Sequence, residues 1–328
     1  MNLNKPVLAT IIYYDILDFP LTTPEIFKFL INPERSHEDS RHTPASFGIN
    51  PERIEHSISN LIKDGFIETR DGFYFLKGRR DIAQERIGKS KIAEEKWKKA
   101  KKYAYWLQVV PYIEIIFASG SLALGCADDD SDLDVLIVVQ KNHIWLARIF
   151  LILATSFLGA RRTKYDKVAP DKICLNHFIT ADSLRISFES IYNAQTYAYL
   201  TPLYSKTPRL VAEFYEQNKW VKDFLPNCDW PPSFQRGEAQ ENKLLRVKRK
   251  FLELLLDYSG LGWLLEKLAR KIQKSRIDTD LPGRITISDT QLEFHPYSAE
   301  KEIINKFNQK ISATGLFGDY RESDSGLR

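Results

Sequence analysis

The chain has 328 residues, 43% hydrophobic and 27% charged, enough for two or three domains with cores of their own. Its net charge of +4 is too small to make the whole molecule a binder of polyanions, so a nucleic-acid role must rest on local patches. The three cysteines, Cys126, Cys174 and Cys228, lack metal-ligand spacing and suit free thiols; with no secretory leader pattern at the N-terminus, a cytoplasmic location is expected.

Residues 1–80 read as a small winged-helix-like domain. Leu8 to Leu17 is apolar enough for a first helix. Leu21-Thr-Thr-Pro-Glu25 opens a second, with Thr23 as the cap and Pro24 at the first helical position. The polar stretch from Asn32 to Asn50 predicts an exposed loop. A third helix starts near Pro51, carries Ile54, Ile58, Leu61 and Ile62 at helical spacing, and ends at Gly65. Alternation around Asp71-Gly72 then predicts a hairpin. In this order the third helix would present Arg53, His56, Ser57, Asn60 and Lys63 to nucleic acid. Glu52, Glu55 and Asp64 lie on the same helix, so a protein-binding or scaffolding role weighs about equally.

Residues 81–108 predict a charged linker helix. Between 77 and 108 there are eleven basic and four acidic side chains, a local excess of seven. A solvated helix face is the default for such a run, but the basic stretch 86–102 could also steer a polyanionic substrate.

The richest signal follows. An apolar run, Ile113 to Phe117, leads into Gly120-Ser121, a short helix of small residues, an acidic turn, and Asp132-Leu-Asp134 opening a second apolar run to Val139. Alternate side chains of a strand share a face, so Asp132 and Asp134 point the same way while Leu133 points into the core. Two adjacent carboxylates make chemical sense around a divalent cation, and hard oxygen ligands select Mg²⁺ or Mn²⁺. Gly120 permits close approach of the backbone, and the Ser121 hydroxyl with amides at a helix start suits a phosphate. The apolar segment Ile144–Gly159 is too short to span a bilayer and holds Arg148, so it predicts a buried crossover helix and no transmembrane segment. Lys172 to Ile179 reads as a strand.

The region 181–206, rich in tyrosine, predicts a helix, as does Phe214 to Phe224. Pro226 to Ser233 reads as a linker. Residues 238–276 predict amphipathic helices bent at Gly260 and Gly262. The second has a basic flank that could meet an anionic membrane or nucleic acid, although packing its apolar face on a neighbouring helix is the commoner outcome. A small hairpin at 284–294 and a final helix near 299–311 follow, then a polar tail, 318–328, expected to be disordered. His177 and His295 have no partner visible in the sequence.

Gly-Ser, a spacer of about ten residues and Asp-apolar-Asp-apolar resembles the signature of the DNA polymerase β-like nucleotidyltransferase superfamily. The resemblance covers about 112–180. It implies an α+β fold, a polymerase-β-like nucleotidyltransferase sheet with flanking helices, here with an N-terminal winged helix and a C-terminal helical region. The domains would be 1–80, the linker helix 81–108, the nucleotidyltransferase domain with its helical companion 109–230, the C-terminal region 231–317, and the tail. The implied activity transfers a nucleoside monophosphate from a nucleoside triphosphate to an acceptor hydroxyl, with Asp132 and Asp134 on Mg²⁺ and Gly120 and Ser121 on the triphosphate. Arg161, Arg162 and Lys164 are candidate phosphate contacts, with surface solvation as their default fate. The strand 172–179 would usually carry a third metal-binding carboxylate, but it offers Asn176 and His177. That departure supports an alternative, a DNA-binding winged-helix regulator carrying a nucleotide-sensing or inactive nucleotidyltransferase fold.

Overall fold

The structure, a computed structural model, describes residues 3–31, 49–163, 165–232, 237–277, 283–295 and 298–317. Most of the polar loop 32–50, Lys164 and the tail 318–328 lie outside the described residues.

The first helix, α1 (Asn4–Ile16), buries every residue from Pro6 to Asp15, as a helix apolar on all sides must. Next comes α2 (Thr23–Lys28), capped by Thr22 rather than by Thr23. The Glu25 carboxylate accepts from both the Thr22 N–H and its hydroxyl at 2.8 Å, and this reciprocal box needs the cap three residues before the acid. In α3 (Pro51–Lys63) the Asn50 side chain accepts from the Arg53 N–H, and Ile54, Ile58 and Leu61 are buried. Ser57 is buried with them, not presented outward. The hairpin of β1 (Ile67–Arg70) and β2 (Phe73–Leu76) turns at Asp71-Gly72, both at positive φ, as its sequence predicts.

These elements share one hydrophobic core with helices far along the chain. Phe29 stacks on Tyr199 with ring centroids 4.3 Å apart, and the Tyr14 hydroxyl donates to Gln195 at 2.5 Å. Helix α4 (Asp81–Leu107) then runs for about 40 Å. Part of its basic surface is engaged within the molecule. Buried Lys96 donates to the carbonyls of Asp129 and Ser131, both at 2.8 Å, and to Asp171 at 3.1 Å. Lys99 donates to the other oxygen of Asp171. The acidic turn is thus gripped from below by α4.

A six-stranded mixed sheet has the order β6–β3–β4–β5–β8–β7. Its strands are β3 (Ile113–Ala118), β4 (Leu133–Val139), β5 (Ile173–Thr180), β6 (Thr201–Ser205), β7 (Arg284–Ile287) and β8 (Gln291–His295). Only β4 and β5 pair in parallel, joined by a crossover that includes α6 (Ile144–Phe157), which buries Trp145 and Leu151. Between β3 and β4 lies the short α5 (Gly120–Leu124). The described residues form an α+β fold of twelve helices, this sheet and the two-stranded hairpin.

Several elements differ from the sequence reading. Region 181–206 is not one helix: α7 covers only Ile191–Tyr197, and β6 follows as the edge strand beside β3. Pro202 is tolerated there because an edge strand need not donate from every position. The helix read at 214–224 begins earlier, as α8 (Pro208–Gln217), and stops at Asn218 before a single turn, α9 (Val221–Phe224). The Asn218 side chain accepts from the Ile186 N–H and donates to Leu184 and Phe214 carbonyls, ending the helix by competing for its bonds. Gly260, at positive φ, separates α10 (Lys243–Tyr258) from α11 (Leu261–Lys274). As expected, α11 packs on a neighbouring helix, α6, with Leu265 against the core, but only part of its apolar face is used. It buries Gly262, Ala269 and Gln273 while Leu264 and Leu268 face solvent. A final helix, α12 (Glu300–Ala313), packs on α1. Among the described residues no helix is long and apolar enough to cross a membrane.

Candidate metal and nucleotide site

The site forms where β3 runs out. The chain turns at Ser119 into α5, stops at Gly125 in the left-handed region, and returns through the acidic turn into β4. The Ser119 N–H donates to the Asp134 carbonyl at 3.0 Å, which ties the start of α5 to the mouth of β4. Leu133 is fully buried, so Asp132 and Asp134 share the opposite face. Donor atoms of Asp132, Asp134 and Cys174 all lie within 4.8 Å of one another.

Cys174 is the residue that sequence reasoning passed over. Parallel pairing sets it opposite Asp134, whereas Leu136 pairs with His177, so β5 carries a bulge at this point. Asn176, the residue expected in the third metal position, donates from Nδ2 to Asp134 Oδ1 at 3.4 Å and reaches His295 Nδ1 at 3.5 Å. It therefore bridges the acidic pair to the next strand.

Burial, and then the charge of Asp132, push the Asp134 carboxyl up to about 6; the Arg162 guanidinium and hydrogen bonds from Cys174 and Asn176 offset part of this. Burial and the two carboxylates hold the Cys174 thiol well above its ordinary range, so it is protonated at neutral pH. Arg162 is half-buried and ion-paired with Asp132 rather than solvated. Its backbone N–H donates to the Ile173 carbonyl at 3.1 Å, holding the segment alongside β5. Arg161 is exposed.

The donor set fits one hard divalent cation. Two carboxylates that repel each other offer oxygen ligands on one side, and Mg²⁺ is usually held by one or two carboxylates with water and phosphate oxygens completing the shell. A protonated Cys174 would not compete as a soft ligand. Ser121 is half-buried in the first turn of α5, beside Gly120.

Gly120 has φ +59°, and a Cβ there would lie 2.5 Å from Asp134 Oδ2. The glycine is therefore demanded by the site's own carboxylate. Gly120→Ala should destabilise the fold by about 2 kcal/mol through the left-handed backbone alone and should displace Asp134. Thermal melting and cation titration of the variant check both effects.

A second constellation adjoins the first. His177, Glu293 and His295 have donor atoms within 4.8 Å of one another. The pairing of β5 with β8 puts Glu293 opposite His177, and the two histidine rings meet edge-on at 6.2 Å. The histidines that lacked a partner in the sequence are thus neighbours. Burial brings His177 down to about 3 and His295 to about 4, aided in both by the charge of Arg284, so both are neutral at pH 7. Arg284, opposite His295, bonds Glu293 at 3.3 Å and pairs with Glu300. The only sequence signal was the alternation of Gln291, Glu293 and His295 in a hairpin that had no visible reason to join this sheet.

Away from this site, Arg53, His56 and Asn60 of α3 line a groove of about 570 Å³ with Leu3, Asn4, Glu52 and Ser57. Lys63 is exposed one turn beyond Asn60. Comparison with known proteins finds no matching family model, curated protein or solved structure.

Proposed function

We propose that the chain is a cation-dependent nucleotidyltransferase with a polymerase-β-like catalytic core. The observation that carries this reading is the convergence of Asp132 and Asp134 beside Gly120, at the junction of β3, α5 and β4. The acceptor hydroxyl oxygen would bond to the α-phosphorus of a nucleoside triphosphate, the bond to the β-phosphate bridging oxygen would break, and pyrophosphate would leave. A Mg²⁺ or Mn²⁺ ion held by Asp132 and Asp134 would supply charge stabilisation for the attacking and leaving oxygens. Gly120 and Ser121 would face the triphosphate. Arg162, exchanging its bond to Asp132 for a phosphate oxygen, would neutralise charge on the leaving group. The hydroxyl proton would pass to water, since His295, lowered by burial to about 4, is too weak a base to take it.

The test is incubation with each labelled nucleoside triphosphate and Mg²⁺ or Mn²⁺, alongside total RNA, DNA oligonucleotides and cell lysate. Cation-dependent labelling of one acceptor class, absent in Asp132→Ala, is expected. No labelling by the native protein in any mixture would overturn the assignment.

A second reading, the nucleotide sensor under a DNA-binding winged helix, draws support from Asn176 standing where the superfamily resemblance implies an acid. Asn176→Asp separates the two. In an enzyme the added carboxylate should raise transfer or shift cation preference from Mn²⁺ toward Mg²⁺, whereas in a sensor it should tighten cation binding and leave transfer undetectable.

A further inference from the structure

Helices α10 and α11 are amphipathic in the reverse sense to core helices. Their inward faces bury Leu245, Leu256 and Ala269 but also carry many polar side chains. Glu253 accepts from the Tyr112 N–H at 2.9 Å, and Asp257 accepts from its hydroxyl at 2.8 Å. Glu266 accepts from the Trp145 and Leu146 N–H groups, capping α6, and Gln273 donates to the Trp145 carbonyl at 2.7 Å. Arg249, buried, bonds the Tyr204 hydroxyl.

The outward faces are apolar. On α10, Leu244, Val247, Phe251, Leu254 and Tyr258 follow one another at intervals of three and four residues, and Phe251 is 66% and Tyr258 98% exposed. On α11, Leu261, Leu264 and Leu268 continue the pattern, each about half exposed. Single exposed apolar side chains are ordinary, but a stripe repeated over two consecutive helices marks an interaction surface.

Charge selects the partner. Residues 243–276 contain ten basic and three acidic side chains. Glu253 and Glu266 are turned inward to the bonds just described, Asp257, although exposed, is held by the Tyr112 hydroxyl, and of the basic ones only Arg249 is buried. Lysines such as Lys248, Lys250 and Lys271 flank the apolar stripe in solvent. A second copy of this chain would bring the same excess of positive charge against itself. Nucleic acid would match the charge but leave the leucines in water. A bilayer with acidic headgroups satisfies both, taking the apolar stripe at the acyl boundary and the lysines at the phosphates. We propose that α10 and α11 form a docking face for an anionic membrane surface, independent of the nucleotidyltransferase reading.

The experiment is co-sedimentation of the full chain with vesicles of phosphatidylcholine, alone or doped with phosphatidylglycerol, with sedimentation velocity run in parallel. Binding at least roughly tenfold tighter to the doped vesicles is expected, weakening as salt rises. Phe251→Asp combined with Leu264→Asp should abolish binding while leaving the melting temperature unchanged, because both side chains face solvent. Lys248→Glu with Lys271→Glu should remove the preference for the acidic lipid. The proposal is overturned if neither vesicle binds. It is equally overturned if Phe251→Asp with Leu264→Asp instead dissolves a dimer or abolishes RNA binding.

Discussion

Asp134→Asn should raise the melting temperature of the cation-free protein and abolish nucleotide transfer. The carboxyl stands at about 6 because it is half-buried, poorly solvated and beside Asp132, so above that pH the folded state holds a charge that the unfolded chain would carry in water at no penalty. A raised acid pKa destabilises the fold as pH climbs from the ordinary carboxylate range through 6, and the penalty is full above it. The isosteric amide removes that penalty, a gain of about 3 kcal/mol at pH 8. It can keep the bond from Asn176, which needs only an acceptor. The difference between variant and native protein should close as pH falls toward 4. With cation and nucleotide present the order should reverse, because only the native protein gains stability from the bound pair. Melting curves across pH, with and without Mg²⁺ and nucleotide, read all three effects. A variant that melts below the native protein at pH 8 without cation would show that the two carboxylates are not in opposition.

Arg284→Ala should have the largest effect on stability. The guanidinium is buried, bonds Glu293 and Asn193 at 3.3 Å, pairs with Glu300 and covers the Phe188 ring at 4.5 Å. Removing one partner of a buried ion pair leaves charge behind, at a cost of about 3–5 kcal/mol. Denaturant unfolding at pH 7 should show that loss. Part of it should return at lower pH, where Glu293, already raised by burial, takes up a proton. A loss under about 1 kcal/mol would mean that the pair is no stronger than a surface bridge.

What could be read from the sequence followed local physics. Asp71-Gly72 fixed a hairpin because few other residues adopt its backbone, and Asp132-Leu-Asp134 announced a face because strands alternate. The apolar run after Ile144 declared a buried crossover helix, and Gly260 a break. The misses share another cause. Thr201–Ser205 becomes a strand because β3 offers it an unpaired edge, a fact no local window contains. Cys174 enters the site through the register of a parallel pair, and Glu293 and His295 through a hairpin more than 100 residues away that extends the sheet past β5. The outward leucines of α11 were not foreseen because spacing shows that a helix has two faces but not which one meets the protein.

The central claim is that Asp132 and Asp134 together hold a divalent cation that carries a nucleoside triphosphate. Its most direct test is titration of the protein with Mn²⁺ followed by electron paramagnetic resonance, with and without triphosphate, for the native chain, Asp132→Ala and Asp134→Ala. Binding in the native chain that tightens with nucleotide and is lost in both variants is the predicted result. Native-like Mn²⁺ binding in either variant would contradict it.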